Sequence, residues 1–422
     1  FFTVSKTIAQ RRKGAKGDSI ASSRYTPPLP PMLENRSIIC FAGEDWWYHH
    51  PHSKNHIMKR LASKNRVMFI NSISMGLPSV RSADFFAKIR RKLKSFAKFV
   101  RRSPEGILVV TPIVTPFFGS AWGRALNKVL LVVQLRLLML IHGFRNPVLW
   151  IAIPTAKDIA GQLGEDVLVY QVSDKYDANS MDHATKSNLI KELHEELLER
   201  ADLVLYSGRK LIEEATTHLE KSKLLEQAVD FEHFASTTAV EHTSPPDIAA
   251  IPHPCLGYFG QVDAWLIDQN LVRYVSEKRP NWQWVFIGLK SRTLDIEALP
   301  NVKHLGSKNY YDLPDYAAHF DACVLPWVTD NEFVSYGSAI KVREYLATGK
   351  PVVITPLYEY ERFDGPLRIA RSYDHFIECV ESALEDMDPA TRAERQALVK
   401  DKTWDVRTEE VSEWIVEAIG RR

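Results

Sequence analysis

The chain has 422 residues, 45% apolar and 25% charged, with a formal net charge of +2. That balance excludes a disordered tail protein, a collagen-like fibre and a disulfide-stapled mini-domain, and the length suits two or three domains with cores of their own. The small net charge conceals a division: residues 1–150 carry 25 Lys/Arg against 6 Asp/Glu, net +19, and the remainder carries net −17. Such asymmetry points to an anionic partner for the first half, whether membrane surface, polyanion or nucleic acid.

Residues 1–35 hold Gly, Ser, basic residues and the run Pro27-Pro28-Leu29-Pro30-Pro31; they read as an extended tail without the apolar core of a secretory signal. From 36 onward short apolar runs alternate with helical segments. Strands are predicted at Ile38–Ala42, Val67–Ile70, Ile107–Val110, Val148–Ile153, Val167–Val172 and Leu203–Tyr206. Runs that are continuous rather than alternating, with helices between them, indicate a parallel sheet covered on both faces. A second unit repeats the pattern at Leu256–Phe259, Trp284–Ile287, Lys303–Leu305, Ala322–Leu325 and Val352–Ile354.

The expected fold class is therefore α/β: two doubly wound Rossmann-like domains, 36–240 and 255–404, facing across a cleft. Residues 241–254 read as a linker, and 405–422 as a helix packing across the junction through Val411, Trp414, Ile415 and Ile419. Cys40, Cys255, Cys323 and Cys379 are far apart and fit no paired motif, so they read as reduced core residues of a cytosolic protein. The longest apolar run, Val129–Ile141, carries Gln134 and Arg136 and falls short of the ~18 residues of a spanning helix, so none is expected.

The segment Tyr336–Val353 is the most informative. Ser338 is a natural N-cap, Gly349 a natural C-terminal stop, and Pro351 precedes the next strand. Lys341 then falls in the first turn, where a cation opposes the helix dipole. An anion held by the free N–H groups of the helix tip would account for it, and Glu344, about 4.5 Å further along the same face, could accept hydrogen bonds from a vicinal diol. Diphosphate at the tip and ribose one turn on is nucleotide spacing; the competing reading is an ordinary helix with both charges solvated.

The string from Ile340 to Pro356 resembles the K-x-x-E-Y-L-A-x-G-K-P-V-V-x-T signature of bacterial nucleotide-sugar glycosyltransferases of the GT-B fold. It is similar to the family-4-like group that builds surface polysaccharides, teichuronic-acid-type transferases included, and more distantly to the xanthan glucuronosyltransferase. Leu256–Gly260 with Trp265, Leu299–Gly306 with Tyr310, Glu196–Val204 and Val229–Phe234 extend the resemblance along most of the chain. The resemblance implies that Lys341 neutralises the donor diphosphate and Glu344 holds the ribose. Gly306–Tyr310 would hold the base, with Gly260, Tyr336, Gly337 and Ser338 completing the donor site. It also implies that no cofactor or metal is needed; the nucleoside diphosphate sugar, UDP-linked, is a substrate. The family's common pair of glutamates eight residues apart is absent, because Tyr336 holds the earlier position, and its N-G-V-D turn appears as Gln227-Ala228-Val229-Asp230.

A base for the acceptor hydroxyl should lie at the carboxyl end of a first-domain strand. Asp174, just after the run Val167–Val172, is placed for it and resembles the Asp at this point in the related transferases; alternatively it caps its own loop. Glu44, Asp45, His52 and His56 follow the first strand and could contact acceptor, or form a solvated loop without zinc-like spacing.

Between Asp84 and Arg102, apolar Phe85, Ile89, Leu93, Phe96 and Val100 recur at helical spacing among Lys88, Arg90, Arg91, Lys92, Lys94, Lys98, Arg101 and Arg102. This basic amphipathic pattern predicts a helix lying in an anionic membrane surface, or one packed on its own domain with a solvated basic face. A nucleic-acid reader fold is not recognisable. The expected protein is thus a peripheral enzyme on the cytoplasmic side of the membrane, moving a sugar to a hydroxyl of a lipid-linked or polysaccharide acceptor. A sugar-nucleotide epimerase, a phosphorylase and an inactive membrane-docked scaffold are the competing readings on the same architecture.

Overall fold

The computed structural model describes residues 32–47, 51–72, 99–115, 117, 120–175, 184–239, 242–386 and 388–422. The first sheet contains β1 (Ser37–Phe41), β2 (Arg66–Ile70), β3 (Val100–Arg102), β4 (Leu108–Val110), β5 (Val148–Ile151), β6 (Val167–Val172), β7 (Leu203–Tyr206) and β8 (Ser222–Leu224). Its order is β3-β4-β2-β1-β5-β6-β7-β8, parallel except for β3. The second contains β9 (Cys255–Phe259), β10 (Gln283–Ile287), β11 (Val302–His304), β12 (Ala322–Leu325), β13 (Val352–Ile354) and β14 (Arg368–Ile369), in the all-parallel order β11-β10-β9-β12-β13-β14. Strands β1, β5, β6 and β9 are buried along their whole length, which is why their sequences are unbroken apolar runs. The four cysteines are free and buried.

In each sheet the connection reverses beside the first strand: β1 lies between β2 and β5, and β9 between β10 and β12. Ligands of doubly wound sheets bind outside the carboxyl ends of the strands at such reversals. Glu44 follows β1 and Gly260 follows β9, so both switch points present candidate residues.

Three sequence expectations change. The predicted amphipathic helix over Asp84–Arg102 does not reach its end, because Val100–Arg102 form an antiparallel edge strand paired with Leu108–Val110, and Arg101 lies over the Trp47 ring at 4.6 Å. The rest of that stretch, with Phe85, Lys88, Ile89, Arg90, Arg91, Lys92, Lys94 and Phe96, lies outside the described residues.

Second, the run Val129–Ile141 belongs to a 22-residue helix, α2 (Ala121–His142), following α1 (Ser53–Leu61); α2 is long and apolar enough to cross a membrane by length and composition. Its two mid-helix amides explain why it is instead seated on the domain. Asn127 and Gln134 exchange paired hydrogen bonds with the backbone of Thr115 and Ile113 (2.7 and 3.0 Å; 2.9 and 2.8 Å), while Leu131, Leu135 and Leu138 enter the first core.

Third, the chain passes to the second domain earlier than the 241–254 segment. Val229 and Phe234, the latter on α3 (Phe231–Ala239), are already part of the second core. The terminal helix α5 (Trp404–Gly420), which follows α4 (Ile340–Thr348), returns to the first domain, burying Trp404, Val411, Ile415 and Ala418 against β1, β6 and β7 residues.

Candidate active site

Helix α4 carries the second-domain half of the site. It ends at Gly349 in the left-handed conformation (φ 75°), as the sequence predicts. Its start differs: Ala339, not Ser338, is the N-cap residue, no side chain caps the first turn, and the Tyr360 hydroxyl takes the Ala339 carbonyl at 2.6 Å. The helix is pinned to the end of β9, where Tyr345 Oη accepts from Phe259 N–H at 3.0 Å. Uncapped N–H groups therefore face the cleft beside the β9 switch point.

Lys341 projects from this tip directly over Gly260. A Cβ on Gly260 would stand 1.8 Å from Lys341 Cε, and Gly260 has φ +149°, so only glycine lets the lysine cross the strand end. Gly260 is itself crossed by Gly288, whose added Cβ would meet the Gly260 carbonyl at 1.6 Å. The ammonium lies 5.9 Å from the Trp327 ring, and burial holds its pKa below the usual lysine value against the favourable charge of Glu344. Glu344 is buried, and loss of solvent pushes its pKa up to about 7 despite Lys341. The pair is poorly solvated and close enough to tune each other, rather than two solvated surface charges.

A cavity of 320 Å³ joins this tip to the first domain. Lys341, Gly337, Ser338, Trp265 and Trp327 line one side, and Glu44, His52, Lys54 and Asp174 line the other. Lys54 Nζ donates to Glu44 Oε1 at 2.7 Å and to Ser173 Oγ at 3.5 Å. Burial disfavours the Lys54 charge, but Glu44 more than offsets it and raises the pKa. Asp174 is held above the usual carboxylate range by burial, with Lys54 opposing and Glu44 adding to the rise. A raised value makes the carboxylate a stronger base than a solvated one.

Other predicted residues lie elsewhere. Gly306 (φ +74°) gives its carbonyl to Gly288 N–H at 3.0 Å, at the carboxyl edge of β10 and β11. Tyr310 is buried; its hydroxyl donates to Asp230 at 3.2 Å, and His233 stacks on its ring at 5.0 Å. Tyr336 turns away from the 320 Å³ cavity into the first domain's core, donating to Glu214 and receiving the Lys175 ammonium at 2.7 Å. It lines a larger cavity of 860 Å³ that also reaches Asp174.

Asp45 is half-buried in the turn after β1 and does not line the 320 Å³ cavity. His56 is corrected from acceptor contact to a junction residue. It is buried, stacked flat on Trp404 at 4.8 Å, and 3.2 Å from Asp230. Among the described residues no group of three or more His, Cys, Asp or Glu converges as a metal set.

Lys54 was missed by sequence reasoning, although the signal was present. It is the second residue of α1, as Lys341 is of α4, and each lysine stands in a first turn that contains no acid.

Residues 255–386 match the family model described as glycosyl transferases group 1. Over 290 residues the chain is 22% identical to a Bacillus subtilis (strain 168) protein named as a teichuronic acid biosynthesis glycosyltransferase, TuaH, covering 61% of this chain and 68% of that protein. The chain has the GT-B fold. Its fold is similar to that of Anabaena Alr3699/HepE, solved with UDP and glucose (TM-score 0.61, 14% identity, 91% of this chain and 100% of that one). It is also similar to sucrose-phosphate synthase from Thermosynechococcus elongatus (TM-score 0.64, 12% identity, 92% and 100%). The family match runs from β9 to Asp386, past β14 and the helix Tyr373–Glu385 that follows it, and so contains Gly260, Lys341 and Glu344.

Proposed function

We propose that this protein is a glycosyltransferase that moves a sugar from a nucleoside diphosphate donor, UDP-linked, to a hydroxyl of a lipid-linked or polysaccharide acceptor at the cytoplasmic face of the membrane. The observation that carries the reading is the uncapped tip of α4, with Lys341 laid across Gly260 and Glu344 behind it, opening on a cavity whose far wall holds Asp174. The UDP in the HepE structure and the teichuronic acid assignment of TuaH support the donor class and the envelope-polysaccharide context.

In this reading the donor diphosphate sits on the α4 tip, where Lys341 and fixed backbone N–H groups stabilise the charge that grows as the sugar–phosphate bond breaks. Glu344, as carboxylate, accepts from the ribose hydroxyls. The acceptor oxygen forms the new bond to the sugar's anomeric carbon, and its proton passes to Asp174. The Lys54–Glu44 pair holds the wall against which the acceptor is oriented, and closure of the domains excludes water.

A thermal-shift panel of uridine, guanosine and other nucleoside diphosphate sugars tests the donor half directly. One donor class should raise the melting temperature with the mass-action dependence of a ligand that binds only the folded state. A panel in which no nucleotide sugar shifts the transition would leave the α4 tip without its proposed occupant.

A further inference from the structure

Among the described residues, none packs on the outer face of α2. Trp122, Val129, Val133, Leu137, Leu140 and Ile141 lie on one helical face, with Leu126 between the first two, and these six are all more than half exposed, Leu140 by 81%. They form one apolar stripe about 29 Å long. A soluble protein seldom shows so long a contiguous apolar patch without an occupant. We propose that this stripe is the surface by which the enzyme lies on an anionic phospholipid bilayer.

Charge decides between a bilayer and a second copy of the chain. From Gly106 to Lys157 there is no acidic residue; Arg124 and Lys157 are paired with Asp158 and Glu196, and Lys128, Arg136 and Arg145 supply the remaining positive charge. Arg136 and Arg145 are exposed. An isologous pairing of two copies would place this same acid-free basic segment on both sides with nothing to answer it. Phosphate headgroups answer it, while acyl chains receive the leucines and valines. Trp122 stands at one end with Phe117 5.2 Å from its ring, an aromatic pair of the kind that settles at headgroup depth. Seating rather than spanning follows from the inner face, where the Asn127 and Gln134 amides and three leucines hold the helix to the domain.

The orientation connects this surface to the reaction. The chain leaves the carboxyl end of β4 through Ile113 and Thr115, which bond to Gln134 and then to Asn127, so α2 runs back antiparallel to the strands. Its Trp122 end therefore lies at the same end of the sheet as Glu44 and Asp174, and a lipid-linked acceptor would leave the bilayer beside the cleft. This deepens the membrane-surface reading above and rests on it.

Cosedimentation of the full chain with vesicles of phosphatidylglycerol and phosphatidylcholine tests the surface. Wild type should bind them, more weakly when the vesicles are phosphatidylcholine alone or the salt is raised. The variant Val133→Ser, Leu137→Ser, Leu140→Ser should lose at least about tenfold in bound fraction while keeping the donor-induced thermal shift. Brominated lipid should quench wild-type fluorescence, and Trp122→Phe should remove a share of that quenching; this reading stands even if the triple variant fails to fold. Equal sedimentation of the folded triple variant, quenching unaltered by Trp122→Phe, or a lipid-free dimer that the triple substitution makes monomeric would each overturn the proposal. Vesicle binding as expected with no donor shift would instead sink the transferase site and leave the docking surface standing.

Discussion

Glu344 has a carboxyl whose chemistry its surroundings reset. Its carboxyl, ordinarily near 4.5, is pushed up to about 7 by burial. A raised folded-state value means that the protonated form favours the fold. That contribution is complete below about pH 4.5 and is lost as the pH climbs through about 7. If the carboxylate is what accepts the ribose, donor affinity should fall by about tenfold per unit below pH 7, and calorimetry of Glu344→Gln should show weaker binding with that slope gone. Asp174→Asn separates binding from chemistry: the donor thermal shift should persist while turnover drops by about 100-fold or more, the range expected for a lost general base. A normal rate would end that assignment. Gly260→Ala drives a methyl into Lys341 and strains the backbone, so donor affinity should fall, read as a weakened thermal shift by the nucleotide sugar.

Helix α4 shows how one element can be legible in part. Its stop, Gly349, needs a left-handed backbone and leaves no room for a side chain, since an added Cβ would meet Arg392 Cγ at 2.6 Å. Gly349→Ala should cost about 1–3 kcal/mol in urea unfolding. The start was misread at Ser338, because the cap position is taken by Ala339 once Tyr360 binds its carbonyl. That partner lies 21 residues away, beyond any local pattern. Helix α2 was misjudged for a related reason: Gln134 and Arg136 interrupt the apolar run in sequence, but on the helix Gln134 faces the backbone of Ile113 and Arg136 reaches the Gln162 carbonyl at 2.8 Å. The outer stripe is left uninterrupted.

At the scale of the whole molecule, the two domains are joined by a partly buried polar cluster. Asp230, which burial penalises but His56 and Arg60 hold well below the usual carboxylate range, also accepts from Tyr310. Arg343, fully buried on α4, lies 3.8 Å from Glu226 and 3.6 Å from Glu359, and Glu226 is bound in addition by Arg362 and Arg407. Helix α5 closes the junction with Trp404 flat against His56. Trp404→Ala should lower stability by about 3–5 kcal/mol, seen as an earlier urea midpoint, because it opens a cavity where α5 meets α1. If the loss were confined to activity, the helix would be a substrate element instead of a structural one.

Local sequence pattern suffices for the two mainly parallel sheets, the stop of α4 and the Lys341–Glu344 pair. Each rests on local physics: unbroken apolar runs, a glycine that permits positive φ, and residues one turn apart on a single face. Long-range packing sets the rest: His56 serves the junction, Tyr336 turns toward the first domain, Lys54 faces the cleft, and α2 keeps an apolar face outward. Those outcomes depend on partners scores of residues away along the chain, and on which side of a helix meets a neighbour, a choice that spacing along one segment does not encode.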